Sequence, residues 1–195
     1  MTEIELPNVE EIDEMRAKAF TKKVALVTAL FAVALAVTSL GGNNATKEMM
    51  LAAQQASDQW SFYQAKTIRE NLSRNTKVQL QVMLKAGMDS IKPQGRTEIE
   101  VELRRLADDE ERYRLEKIEI EKQAKHLEAE RDTNRAKDPY FDYAEVLLQI
   151  AIVMASIAIL SASHLIFYFA LSSAVMGVLL SLNGFFMFVQ IPFLH

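Results

Sequence analysis

The chain has 195 residues, of which 50% are hydrophobic and 25% are charged, with a formal net charge of -4 and a mean hydropathy of +0.01. These averages conceal a segregation, because residues 24–40 and 146–195 contain no Asp, Glu, Lys or Arg. Uncharged stretches of this length exclude an ordinary soluble domain. The small, mixed net charge argues against nucleic-acid binding, and the lack of Cys excludes disulfides, thiolate metal sites and a Cys nucleophile.

The first charge-free segment, residues 24–40, predicts a transmembrane helix, since about 20 helical residues cross the hydrocarbon core of a bilayer. The acidic residues 1–23 before it are predicted to form an amphipathic helix. This helix starts at the capping-box-like pair Asn8 and Glu11 and continues into the membrane. We interpret the apolar segment as a retained anchor, and a cleaved signal peptide is the alternative.

The apolar C-terminal run is too long for one membrane span and is predicted to form two. The first covers residues 143–160, with Asp138 as the helix N-cap and Pro139 at the first helical position. The second covers residues 165–187 after a short polar pause. An aromatic tail, residues 188–195, follows it.

The charged segment between the first and second spans, residues 41–142, is predicted to form a long helical hairpin. Its arms, residues 45–86 and 96–138, contain neither Pro nor Gly, whereas residues 87–95 between them hold a dense cluster of both. Arms of similar length that lead from one membrane span into another favour an antiparallel return. The polar residues 71–75 are where we expect the first arm to kink.

Both arms carry a partial coiled-coil seam, in which apolar residues recur at intervals of three and four. In the second arm Glu110 and Lys117 interrupt this seam, and the surrounding charges are interpreted as a solvated face with short-range ion pairs. The residues predicted to make the contacts of this stalk are Trp60, Tyr63, Leu103, Leu106, Tyr113, Ile120 and Leu127.

Two motifs follow the first span, GNNAT at residues 42–46 and SDQWSFYQAK at residues 57–66. Together they resemble a family of small bacterial membrane proteins that is catalogued as a domain of unknown function. The resemblance extends over the whole chain and implies a bacterial inner-membrane protein, without catalytic residues to transfer. By helical spacing Ser57, Trp60 and Tyr63 share a side. We interpret that side as packing on the other arm, with partner binding and a small-ligand site as alternatives.

The sequence offers little catalytic or metal-binding chemistry. Its three His residues, at 126, 164 and 195, are too far apart to form a helical metal-binding pair. There is no Gly-rich phosphate loop and no Gly-flanked Ser nucleophile. We therefore predict no enzyme activity, cofactor or metal. His164 is interpreted as an imidazole at the membrane interface, with a proton relay as the alternative.

Small residues at four-residue spacing mark faces of the predicted spans that allow close helix approach. In the last span these residues are Ala170, Ser173, Ala174, Gly177 and Ser181. We interpret them as packing surfaces within a subunit or between subunits. The absence of charge in the spans argues against an ion-coupled pump, since such proteins keep ionisable groups at mid-depth.

The distribution of basic residues gives two conflicting topologies. Four of them precede the first span and only Lys47 follows it closely, which places the N-terminus in the cytoplasm and the stalk in the periplasm. Arg131, Arg135 and Lys137 before the second span favour the opposite orientation. We favour the first, because the first helix usually sets the orientation.

The sequence as a whole predicts an all-α membrane protein with three transmembrane helices and an antiparallel helical stalk between the first and second. Its predicted role is a non-enzymatic, self-associating inner-membrane scaffold that docks a partner through the stalk. The alternative is an oligomeric channel lined by polar residues of the last span such as Ser172, Ser173 and Asn183, and an enzyme ranks third. The predicted partners are the lipid bilayer, further copies of the chain and a protein on the stalk, without nucleic acid.

Overall fold

The computed structural model describes residues 9–87 and 91–190, with side chains from residue 14 onward. Within these residues the chain forms three helices and no strand: α1 (Val9–Ala86), α2 (Pro93–Ser161) and α3 (His164–Phe186). The all-helical prediction is confirmed at this level. The predicted cap at Asn8, the centre of the predicted turn and most of the aromatic tail lie outside the described residues.

Helix α1 is continuous through three segments that the sequence analysis separates, namely the acidic N-terminal helix, the first apolar segment and the first arm. No Pro lies within it, and several of its Thr hydroxyls lie within hydrogen-bond distance of the carbonyl four residues earlier, as in the 2.8 Å bond from Thr28 to Val24. Residues 71–75 stay α-helical, although we expected a kink there. A polar composition alone is therefore not enough to end this helix.

Helix α2 runs through Pro139, so the prediction that a new helix starts at Asp138 is wrong. Pro139 has no N–H to donate to the carbonyl four residues earlier, but its ring is compatible with helical backbone angles. Asp138 does not act as a cap. Its carboxylate accepts a 2.9 Å hydrogen bond from the hydroxyl of Thr46 on α1. Pro occupies a first helical position elsewhere, at Pro93, where α2 begins.

A tight turn joins α2 to α3. Ala162 adopts a left-handed conformation with φ 49°, and the N–H of Ser163 donates to the carbonyl of Ala158 at 3.2 Å. Helix α3 ends in a similar way, with Met187 left-handed and its N–H 2.7 Å from the carbonyl of Asn183. The predicted end of the second span and both predicted ends of the third agree with these helix bounds within a few residues.

The chain divides into two compact units, to which α1 and α2 both contribute. The three-helix unit comprises Met1–Glu48 and Thr133–His195, and the two-helix unit comprises Met49–Asp132. Each of the three helices contains a stretch that is long and apolar enough to cross a membrane.

The core of the three-helix unit combines a few large side chains with many alanines. Its buried members are Val24, Phe31, Leu148, Ala151, Ala155, Ala170 and Ala174. Alanines bring helix backbones close together, which increases the dispersion contacts between them. All three helices therefore share one tightly spaced core.

A glycine allows the three helices to approach closely at the C-terminal end of the first apolar segment, residues 24–40. A Cβ atom on Gly41 would lie 2.7 Å from Cε1 of Phe141 and 2.5 Å from Cζ of Phe185. Those two rings pack edge to face with centroids 4.9 Å apart. Gly41, in the middle of α1, thus leaves room for the two rings, one from α2 and one from α3.

Candidate functional site

The five small residues predicted to pack the last span are all buried inside the three-helix unit. A Cβ atom on Gly177 would lie 2.9 Å from Cγ of Leu148 and 3.1 Å from the carbonyl oxygen of Ala144. Because Leu148 and Ala144 belong to α2 of the same chain, this face holds α3 against α2. The structure thus places these residues in contacts within a subunit.

The polar side chains of α3 are also engaged within the chain. The hydroxyl of Ser173 donates to the carbonyl of Leu147 at 2.8 Å, and the hydroxyls of Ser181 and Thr38 are 2.8 Å apart. The amide of Asn183 donates to the carbonyl of Val189 and accepts from its N–H, at 2.8 and 2.9 Å. Ser172 is exposed.

These bonds bear on the channel hypothesis, which requires polar groups that face a shared pore. Ser173 and Asn183, two of the residues expected to line it, already have hydrogen-bond partners in their own subunit. Among the described residues, no observation favours a pore.

The predicted stalk residues face the interior of the two-helix unit. Leu106 is buried, and the other six are half-buried. The indole N–H of Trp60 donates to the carboxylate of Glu128 on α2 at 3.0 Å, and the Tyr63 ring lies edge-on to the Trp60 ring. Nζ of Lys117 on α2 lies 5.2 Å from the centroid of the Tyr63 ring, so Trp60 and Tyr63 both contact the other arm. Ser57 does not, because it is exposed.

A chain of ion pairs, here called the ion-pair ladder, joins the two arms at the positions where the apolar seam is interrupted. Lys77 pairs with Glu110, which also accepts a 2.8 Å hydrogen bond from Nε of Arg74. Arg74 lies 3.1 Å from Glu70, and Glu70 accepts a 2.7 Å hydrogen bond from Nζ of Lys117. The side chain of Glu70 is only 7% exposed. The ladder is thus partly desolvated, and it fixes the register of the arms.

The cations of the ladder favour the charged form of Glu110. Hydrogen bonds from Lys77 and then Arg74 hold the pKa of Glu110 below its ordinary value. Beyond the ladder, Lys66 of α1 pairs with Glu116 of α2, and the hydrogen bond from Lys66 lowers the pKa of the Glu116 carboxyl. A partly buried carboxylate is tolerated because a cation faces it, and loss of that cation would leave an uncompensated charge.

Sequence reasoning missed the ladder, although the signal was present. Glu110 and Lys117 were interpreted as interruptions of the second seam. Glu70 and Lys77 lie at the same seven-residue spacing in the first arm, where they continue the seam beyond Tyr63 with the same order of charges, Glu before Lys. In an antiparallel pair such an order places each charge opposite its complement.

The described residues contain no group of three His, Cys, Asp or Glu that could hold a metal ion. His126 is an exposed imidazole 3.6 Å from Glu130. The ring of His164 packs against Phe20, with centroids 4.3 Å apart. The arrangement of side chains thus supports contacts between helices better than it supports acid–base catalysis.

Comparison with known proteins adds one finding. A family model described as Domain of unknown function (DUF4337) matches residues 20–187, which include nearly all of the three helices. No curated protein and no solved structure matches the chain. The resemblance to a family of unknown function is confirmed.

Proposed function

Because the chain belongs to the family described as Domain of unknown function (DUF4337), its role has to be inferred from its own geometry. We propose that it is a non-enzymatic, multi-pass membrane scaffold that self-associates through its two-helix unit. The observation that carries this proposal is an apolar surface that the two-helix unit leaves exposed on its outer faces. Its members include Phe62, Ile68, Leu72, Val82, Met83, Val101, Leu115 and Ile118.

Insertion of the three-helix unit in a membrane is supported by the position of its exposed apolar side chains. Leu26, Leu30, Val33 and Val37 lie on the outside of α1 and are more than half exposed. Such a surface is unfavourable in water and favourable in lipid. The resemblance stated above suggests a bacterial inner membrane, and the basic residues before the first apolar segment favour a cytoplasmic N-terminus.

The clearest stripe for self-association lies on the outer face of α1. Ile68, Leu72 and Val82 are 68%, 65% and 59% exposed. At about 100° per residue the three side chains fall within a sector of about 80° on the helix surface. They form a row that faces away from the internal seam. A second helix could cover that row without disturbing the ion-pair ladder.

A second copy of the chain is the favoured occupant of this stripe, because the two-helix unit has a thin core of its own. The buried hydrophobic residues among its described positions are Ala52, Ala56, Leu106 and Ala124, of which three are alanines. A pair of helices with so little buried apolar surface gains limited stability alone. Association of copies would bury the exposed stripes and add to the core.

The test is the mass of the complete protein in two different membrane mimetics. We expect a multiple of 22.1 kDa for the wild-type chain, and mostly single chains for the double variant Ile68→Glu/Leu72→Glu. A carboxylate in place of each apolar side chain would have to be desolvated at the interface between copies. Both positions are exposed, so the fold of one chain should be preserved.

Gln54→Glu/Gln55→Glu provides the matched control, since it adds the same charge to exposed positions of the same helix and leaves the stripe intact. It should associate like the wild type. If the mass of the wild-type protein corresponds to a single chain in both mimetics, self-association is refuted. Equal copy numbers for the stripe variant and the control would refute the stripe as its surface.

A further inference from the structure

The three-helix unit contains a cavity of about 590 Å³ between the start of α1 and the turn that joins α2 to α3. Its polar lining consists chiefly of Arg16 and Lys23 from α1 and His164 from α3. Among the described residues that line it there is no carboxylate. The cavity therefore combines two permanent cations with an imidazole, a composition suited to an anion.

Aromatic side chains also line the cavity. Phe20, Phe167 and Tyr168 line it, and the Phe20 ring packs against His164 and edge-on against Phe167, with centroids 4.3 and 6.0 Å apart. A small inorganic anion makes no use of these rings. An amphipathic ligand, with an anionic group joined to an apolar part, can contact both the basic and the aromatic side chains.

The first turn of α3 adds to the positive character of the cavity. His164 is the first residue of this helix, and the side chain of Ser163 makes no capping hydrogen bond. The first N–H groups of a helix lack acceptors within it, and the helix dipole there is positive. The positive potential of the cavity comes mainly from Arg16 and Lys23, and the N-terminus of α3 adds to it.

The cavity also lies at the level where a lipid headgroup is found. Lys23 directly precedes the charge-free residues 24–40, and His164 follows the turn between the two C-terminal apolar stretches. When these stretches span a bilayer, both residues stand at its polar boundary. Basic pockets between membrane helices on the cytoplasmic side suit phospholipid headgroups.

We propose that this cavity binds the phosphate group of an anionic phospholipid such as phosphatidylglycerol. The phosphodiester lies between Arg16, Lys23 and His164, and the start of the acyl region lies against Phe20 and Phe167. Arg16 has a further interaction within the chain, and the proposal does not require it to be free, because Lys23 and His164 line the same cavity. The proposal rests on the membrane insertion proposed above and is independent of self-association.

The experiment is native mass spectrometry of the full chain released from lipid discs, which counts protein copies and bound lipids in one spectrum. Discs of phosphatidylcholine with phosphatidylglycerol are compared with discs of phosphatidylcholine alone, and inorganic phosphate is added in a third arm. We expect phosphatidylglycerol to be retained in preference to phosphatidylcholine, and phosphate to compete weakly.

The variant Arg16→Gln/Lys23→Gln should bind phosphatidylglycerol about 30-fold more weakly, since each basic side chain near an anionic lipid contributes about 1 kcal/mol. Both side chains are exposed, so the fold should be preserved. Lys18→Gln is the matched control, because Lys18 belongs to the same helix, is exposed and pairs with Glu14 outside the cavity. It should bind like the wild type.

Equal retention of the two lipids, or equal loss in the control and the cavity variant, would overturn the proposal. Tight binding of inorganic phosphate without selective retention of phosphatidylglycerol would overturn the lipid assignment in favour of a soluble phosphate compound. Because the same spectrum reports the number of protein copies, a failure of self-association is distinguished from a failure of lipid binding.

Discussion

Single residues decide how closely the helices of the three-helix unit approach one another. Gly177 lies against Leu148 and the backbone of Ala144, and Gly41 lies against Phe141 and Phe185. In each case the missing side chain is replaced by part of a neighbouring helix. Small residues that looked equally suited to contacts between subunits are therefore already used within one subunit.

Gly177→Leu should destabilise the single subunit. The added side chain collides with Leu148 and with the Ala144 carbonyl, and overpacking of this kind costs about 1–3 kcal/mol. Thermal unfolding in detergent is the measurement. Met176→Leu, a change at an exposed neighbour on the same helix, should leave the midpoint near that of the wild type. A normal midpoint with a reduced number of copies would instead place Gly177 between subunits.

At the scale of helices, the register of the two arms depends on charge as much as on apolar contact. The seam supplies Leu106 and Ala124, but the central part of the pairing is the ion-pair ladder. In it Glu70 meets one cation from each arm, and Glu110 meets two cations from the first arm. Paired polar groups inside a coiled coil specify register, because any slip leaves them unpaired.

Lys117→Glu should destabilise the two-helix unit by about 3 kcal/mol, because it places a second carboxylate against the nearly buried Glu70. Hydrogen exchange of the amides in residues 63–77 and 106–120 is the local measurement, and their protection should fall. Lys122→Glu, at an exposed position of the same helix, is the matched control and should change little.

Combining Lys117→Glu with Glu70→Lys should restore part of the protection against hydrogen exchange, because the two residues again form an ion pair, with the charges exchanged. Recovery is partial because Arg74, 3.1 Å from Glu70 in the wild type, would then face a cation. If the double variant is no better protected than Lys117→Glu alone, the contact between these two residues does not set the register.

At the scale of the whole molecule, the long charge-free stretches both lie in the three-helix unit, although α1 and α2 run through both units. The proposed function assigns the first unit to the bilayer and the second to association in water. The side of the membrane on which the two-helix unit lies then follows from the charges that flank the first apolar segment.

Single-cysteine labelling tests that orientation, and the absence of native Cys makes each variant unambiguous. Ser57→Cys, at an exposed position of the two-helix unit, should react with a membrane-impermeant maleimide on the periplasmic side of intact cells. Lys18→Cys, on the N-terminal part of α1, should react only after lysis. The reverse pattern would place the two-helix unit in the cytoplasm and the N-terminus outside.

Local features of the sequence determined the helical class and several helix ends, but not that α1 and α2 each run on from an apolar segment into an arm. Charge-free residues 24–40 and 146–195, the breakers at 87–95 and the polar pause near Ser163 are read directly from residue order, because helix propensity and termination depend on near neighbours. The seven-residue spacing likewise located the inner face of each arm, since helical periodicity is a property of one segment.

Only the tertiary structure decided what each face contacts. Asp138 looked like a helix cap but binds Thr46, Glu110 and Lys117 looked like defects but meet Glu70, Arg74 and Lys77, and Gly177 lies against α2 of its own chain. These pairings join residues from about 30 to more than 90 positions apart in the chain. They depend on the register and spacing of two helices in space, and no short stretch of either helix specifies those quantities.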